Sequence, residues 1–253
     1  MVHTVLIVYA HQSAGSFNAA VKDAAVDALK KQGCNVLVSD LYEMKFKATA
    51  TKEDINGAAK NPEHFCYGNE TMLAWQEGRL ASDIVDEHKK LKEADLVIFQ
   101  SSLVVHLSVL VYESLVQVLR DGMLKVHFGS CSFMVSQNGT VEYTKLILST
   151  KLFLNGVLNY CGFQVLAPQI FWAPTHLSPE AREGLLEGWR ARLQGLLNEA
   201  PLTFPPVDIF DEGKGFQLKT EIREKQAESL FGLTVGHHLE KPLPPHNQMK
   251  AGV

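Results

Sequence analysis

Cysteine is scarce and scattered: Cys34, Cys66, Cys131 and Cys161 stand far apart in 253 residues, and no two form a C-x-x-C pair. Such spacing suggests neither a zinc site nor a disulfide framework, and it reads as reduced thiols in a cytoplasmic protein. Long apolar runs are missing too. The longest, Leu103 to Leu119, is interrupted by His106, Glu113 and Gln117 and falls short of a membrane span. The first ten residues lack a basic start followed by an apolar core, so no secretory signal is read. Nor is there a surplus of one charge. With 24 basic and 28 acidic residues interspersed along the chain, no stripe for nucleic acid and no polybasic patch for a membrane surface forms. The remaining partners are small molecules or protein.

What is present begins with His3 to Asn18, HTVLIVYAHQSAGSFN. Val5, Leu6, Ile7 and Val8 run without polar alternation, as in a parallel strand covered on both faces. The run breaks at His11, crosses a polar turn containing Gly15, and opens a helix at Ser16-Phe17-Asn18. Such a turn lies at the carboxyl end of a strand, where open α/β sheets bind ligands, and the first turn of the next helix favours an anion. The turn has neither G-x-G-x-x-G nor G-x-x-x-x-G-K-S/T, so by pattern it is not a Rossmann fingerprint or a P-loop, and an ordinary βα loop remains open.

Further along, Phe17, Ala20, Val21, Ala24, Ala28 and Leu29 fall at helical spacing, with a stop at Gly33. Asn35–Ser39 reads as a second strand, and Asp40 after it suits either a ribose hydroxyl or a turn cap. Residues 51–80 form a polar excursion with a capped short helix at Thr51. Ser82–Ala94 is an amphipathic helix facing Ile84, Val85 and Leu91 inward, and Asp95–Gln100 is the third strand. Cys131–Ser136 reads as the fourth strand and the run Cys161–Gln169 as the fifth. A helix capped by Ser178, with Pro179 at its first position, buries Leu185, Leu186, Trp189, Leu193 and Leu196. Beyond Ala200 the chain is rich in proline and too poor in apolar residues for a core of its own.

Several stretches, VLIVYAHQ with SFN, SDLY, EADLVIFQ and CGFQVLAPQ, resemble the NAD(P)H:quinone oxidoreductases, the DT-diaphorase family of FAD enzymes with a flavodoxin-like fold. The resemblance implies that His11, Ser16, Phe17 and Asn18 hold the pyrophosphate and adenosine part of FAD, and that Cys66, at a place usually taken by Gln or Asn, approaches the adenosine half. It implies that Leu103, Val104, Val105 and His106 lie at the isoalloxazine ring, with Ser136, Gln137, Asn138 and Gly139 beside it. Tyr143 stands for the tyrosine that assists hydride transfer, and Arg182 for an arginine on FAD phosphate. His106 equally suits a buried residue, and Arg182 a solvated helix charge. Asn155 and Asn159 stand where one branch carries metal-binding histidines, so no metal is expected.

Between residues 101 and 154 the match holds in outline only. The family segment F-P-L-x-W-F-x-V-P-A-I-L-K-G-W becomes Ser101 to Leu115, without its prolines, Trp, Phe or Lys, and no other His follows Tyr143 within thirty residues. The sequence therefore predicts an α/β, flavodoxin-like, doubly wound parallel sheet in order 2-1-3-4-5. An FAD-binding domain spans residues 1–200, and an extension over 201–253 packs on the core. The expected activity is two-electron transfer from NAD(P)H through FAD to quinones by a cytoplasmic homodimer. The alternative is a catalytically impaired member that binds FAD or a protein.

Overall fold

In the computed structural model the described residues are 2–47, 49–102, 125–132, 158–159, 161–172, 174–233, 241–242 and 250–251, with backbone alone for 101–102, 125–132 and 250–251. The first strand, β1 (Thr4–Ala10), is paired in parallel on both edges. One neighbour is β2 (Asn35–Asp40), in register from Thr4 with Asn35 to Tyr9 with Asp40; the other is β3 (Leu96–Ser102), from Val5 with Leu96 to Ala10 with Ser101. The sheet continues to β4 (Lys125–Ser132), which pairs with two short pieces, β5 (Gln164–Val165) and β6 (Gln169–Trp172). The order along the main path is β2-β1-β3-β4-β6, and a last strand at 250–251 pairs in parallel with β6.

Alternation along β1 assigns its two faces. Val5 and Ile7 join Leu96 and Ile98 under helix α1 (Phe17–Lys31) and under the helix Pro179–Leu193. Leu6 and Val8 face the other way, toward Leu91, Val97, Phe99, Phe163 and Leu202. Every one of these residues is at least nine-tenths buried. Helices on both faces are what lets a parallel strand dispense with polar residues. Helix α1 ends in a Schellman closure: the N–H of Gly33 meets Lys30 O at 3.0 Å and that of Cys34 meets Leu29 O at 3.1 Å. Gly33 has φ +79° there, a conformation that disfavours side chains with a Cβ.

The excursion between β2 and β3 carries a small core of its own, made of Ile55, Ala74, Leu80 and Ile84. It contains helix α2 (Tyr67–Gln76) and leads into α3 (Ser82–Glu93). Buried Glu70 accepts from the N–H groups of Lys60 at 2.7 Å and Asn61 at 2.8 Å, fastening the loop before α2. Helix α4 (Pro179–Leu193) lies beside α1, and the Trp189 indole donates to Val21 O at 3.2 Å. Beyond it Leu202 enters the core, its N–H on Val165 O at 2.7 Å. A two-residue hairpin, β7 (Phe210–Asp211) with β8 (Gln217–Leu218), precedes α5 (Thr220–Ala227).

Three expectations change. The fourth strand starts at Lys125, ahead of the expected Cys131, and is described as far as Ser132; residues 133–136 of the expected Cys131–Ser136 lie outside the described residues. The earlier start follows from pairing with the seven residues of β3, in register from Leu96 with Lys125 to Ser102 with Cys131. The fifth strand is broken around Pro168, which has no N–H to give to a ladder. Helix α2, unread in the polar excursion, buries Glu70 and Thr71 beside Ala74, so its inner face lacks the apolar stripe that announces a helix.

Arg192 near the end of α4 closes the sheet to the chain that follows. Its guanidinium donates to Ala167 O at 2.5 Å and Gln169 Oε1 at 3.1 Å, and pairs with Glu199 at 2.8 Å, both side chains being largely buried. Arg192→Ala should lower stability by about 3 kcal/mol, because a buried carboxylate loses its charge partner. Chemical denaturation checks this as a lower midpoint at unchanged slope. Burial also pushes the Cys161 thiol up to about 11. The unfolded chain ionises that thiol first, so between pH 9 and 11 the folded state holds more protons and stability falls as pH rises. Cys161→Ala should flatten that part of the stability–pH profile.

Candidate functional site

All the sheet strands from β1 to β6 run parallel, so the chain leaves β1 and β6 at one edge. The turns before α1 and α4 therefore open there. At the first, Ser16 is the N-cap: its Oγ accepts from Ala19 N at 3.2 Å and donates to Ser13 O at 2.7 Å. The hydroxyl expected to hold a cofactor is thus engaged in shaping the turn. The cap uses the third helical N–H and leaves the first two, of Phe17 and Asn18, with no acceptor among the described residues. These two N–H groups point at whatever meets the helix end, where the helix dipole favours negative charge.

Three side chains complete this end of the turn. His11 packs edge-on to Tyr9 with ring centroids 6.4 Å apart, and its buried Nδ1 has no partner among the described residues. The Lys22 ammonium lies 5.1 Å from the centroid of the same Tyr9 ring and 3.3 Å from Asp23 Oδ1. Asn18 is 3% exposed. Gln100, near the end of β3 and 2% exposed, donates through Nε2 to Asn18 O at 2.6 Å and to Asn18 Oδ1 at 2.8 Å. The Nδ2 of Asn18 then remains buried without an acceptor among the described residues. Phe17 turns its ring away, onto Phe171 at 5.7 Å, and Phe171 in turn meets Trp189. Its side chain belongs to the packing, and its N–H to the site.

The other expected residues are placed separately. Cys66 is exposed and begins α2 without a side-chain cap. Beside it opens a cleft of about 860 Å³ lined by Thr51, Ile55, Ala58, Pro62, Phe65 and Tyr67. Asp40 accepts from Glu43 N at 3.1 Å, which is the turn-capping role. Arg182 is half-buried in the first turn of α4, behind the Ser178 cap. The Glu180 carboxylate is held below its ordinary value by its own N–H, by the Ser178 hydroxyl and then by Arg182. Leu103, Val104, Val105, His106, Ser136, Gln137, Asn138, Gly139 and Tyr143 lie outside the described residues.

Gln100 and Lys22 escaped the sequence reading. For Gln100 a signal existed, a single polar residue closing a buried strand at the ligand-binding edge. Lys22 carries none, since a lysine on a helix reads as a solvated charge. Among the described residues no three His, Cys, Asp or Glu side chains gather as metal ligands, and no helix is long and apolar enough to cross a membrane.

A family model described as a flavodoxin-like fold matches residues 3–105. NAD(P)H dehydrogenase (quinone) 1 of Rattus norvegicus is 41% identical over 272 aligned positions, which cover 99% of this chain and 98% of the relative. The chain belongs to the NAD(P)H dehydrogenase (quinone) family. That alignment is 19 positions longer than the 253-residue chain, so the relative carries residues this member of the family lacks. The ribosyldihydronicotinamide dehydrogenase (quinone) of Homo sapiens is 43% identical over 223 positions, covering 78% of this chain and 94% of the relative. Among solved structures, one described as a putative quinone reductase from Klebsiella pneumoniae superposes with a TM-score of 0.74 at 24% identity, over 87% of this chain and 95% of that one. That likeness shows the fold.

Ser16→Ala should cost about 1 kcal/mol of stability through loss of the helix cap. Ser16→Thr, which keeps a capping hydroxyl, should recover most of it. Urea denaturation of the two variants beside the parent checks both.

Proposed function

We propose that this chain is an FAD-dependent NAD(P)H:quinone oxidoreductase, a cytoplasmic homodimer that moves two electrons from NAD(P)H to quinones. The observation that carries this reading is the set of uncommitted donors at the β1–α1 turn. Two backbone N–H groups and the Asn18 NH₂ are left without acceptors among the described residues at this helix end. A pyrophosphate fits such a set, because each of its oxygens accepts and its charge suits the helix end. Membership of the quinone dehydrogenase family supports the redox role.

In this reading His11, Phe17 and Asn18 bind the pyrophosphate, with Ser16 holding the turn in shape. Arg182, at the same sheet edge, pairs with a phosphate. Cys66 borders the adenosine half, for which the cleft flanked by Phe65 and Tyr67 offers apolar walls. Leu103, Val104, Val105 and His106 together with Ser136, Gln137, Asn138 and Gly139 hold the ring system by main-chain contacts. Bound FAD supplies the two-electron relay between nicotinamide and quinone. Tyr143 is the proton donor, an aid worth typically about 10²–10⁴-fold in rate. Residues 201–253 form the extension laid on the 1–200 core, as Leu202 and Phe204 do where they pack against it. The match to the ribosyldihydronicotinamide enzyme leaves part of this chain without a counterpart, which favours NAD(P)H over a smaller nicotinamide.

A second reading, a family member that binds FAD or a protein without turnover, is favoured by one observation. The stretch from Ser101 to Leu115 lacks the aromatic residues and prolines of the family segment. Purification, an absorbance spectrum and anaerobic NADPH separate the two. The enzyme should be yellow, release FAD on denaturation, bleach with NADPH and recover its colour with menadione. A yellow protein that NADPH does not bleach would establish the second reading, and a colourless one would refute both forms of FAD binding.

A further inference from the structure

The two amides at the β1–α1 turn constrain one another. The backbone oxygen of Asn18 can only accept a hydrogen bond. The Gln100 atom 2.6 Å from it must therefore be the NH₂ end, and its second hydrogen goes to the Asn18 side-chain atom 2.8 Å away. That atom in turn must be the carbonyl oxygen. What remains of the Asn18 side chain is its NH₂, buried and without an acceptor among the described residues, at the helix end whose first two N–H groups are also uncommitted. An amide is otherwise free to present either end, since its two ends have almost the same shape.

We propose that Gln100 is a positioning residue: it fixes the orientation of the Asn18 amide so that this side chain always offers a donor to an anionic ligand at the β1–α1 turn. The inference rests on the reading of that turn as the place of the FAD pyrophosphate. Gln100 stands on β3, opposite Tyr9 in the pairing with β1, 82 residues from Asn18 in sequence. The orientation is therefore set by the strand pairing and not by the loop. Because both amides are neutral, the setting does not change with pH.

Replacing the donor by an acceptor reverses the arrangement. In Gln100→Glu an ionised carboxylate faces Asn18 O, can accept only, and draws the Asn18 NH₂ toward itself. The anion then meets the Asn18 carbonyl oxygen. Protonation gives residue 100 one donor hydrogen and restores part of the original order. Gln100→Met keeps the volume, removes both polar atoms and leaves the Asn18 amide unguided.

The test is FAD binding to flavin-stripped full-length protein, read by quenching of flavin fluorescence between pH 5.5 and 8.5, with the melting temperature of each flavin-free variant measured alongside. The parent's affinity at each pH is the reference, since His11 at the same turn is common to all three proteins. Gln100→Met should bind about tenfold more weakly at every pH, as expected for one lost charge-assisted hydrogen bond. Gln100→Glu should bind progressively more weakly than the parent as pH rises. A parent protein that binds no FAD overturns the pyrophosphate reading and this inference with it. A parent that binds FAD, with folded Gln100→Met and Gln100→Glu variants that match it in affinity and pH profile, overturns this inference alone. Should Gln100→Glu fail to fold, Gln100→Met decides by its affinity relative to the parent.

Discussion

Parallel pairing of β1 on both edges, with both of its faces covered, is the constraint on which the rest depends. Strand β1 holds β2 and β3 in register and divides its side chains between two core clusters. A strand so enclosed has nowhere to end except at the edge of the sheet, and its turn must face outward there. Ser16 then shapes that turn by capping α1 with its own hydroxyl. The result is a helix end whose free hydrogen-bonding groups are donors, built by fold requirements before any ligand is considered.

The same geometry links the site to the body of the protein. Gln100 ties the first turn of α1 to β3, Phe17 ties it to β6 through Phe171, and Trp189 ties α1 to α4. A turn fastened to three separate elements is preorganised, and preorganisation lowers the ordering cost of any binding there. The uncommitted donors at the helix end are mostly main-chain N–H groups. Their placement depends on packing and not on the identity of the loop residues.

Much of this was legible in the chain itself. The run Val5 to Val8 announces a doubly covered strand, Ser16 and Gly33 bracket α1, and Ser178-Pro179 opens α4, because strand burial and helix ends leave local chemical marks. The family likeness of the short runs around β1, β3 and the fifth strand agrees with the 41% identical relative. What the chain concealed is what depends on distant partners. The position of β4 follows from its register with β3, the break in the fifth strand from the lack of an N–H on Pro168, and α2 from a buried face made of Glu70 and Thr71. At the site, Asp40 carried two readings and only the Glu43 contact decides between them. The role of Gln100 is invisible until the fold brings it to Asn18.

The excursion between β2 and β3 has a consequence for how members of this fold diverge. Its C-terminal part, α3, belongs to the main core through Leu91, but its middle, before α3, is stabilised by a separate cluster of Ile55, Ala74 and Leu80 with Ile84. Residues can be gained or lost within that middle at small entropic expense, since closing a longer loop costs little more than closing a shorter one. The segment is thus a replaceable cassette. One lineage can refashion the cleft beside Cys66 while the sheet, and the β1–α1 turn it exposes, stay as they are.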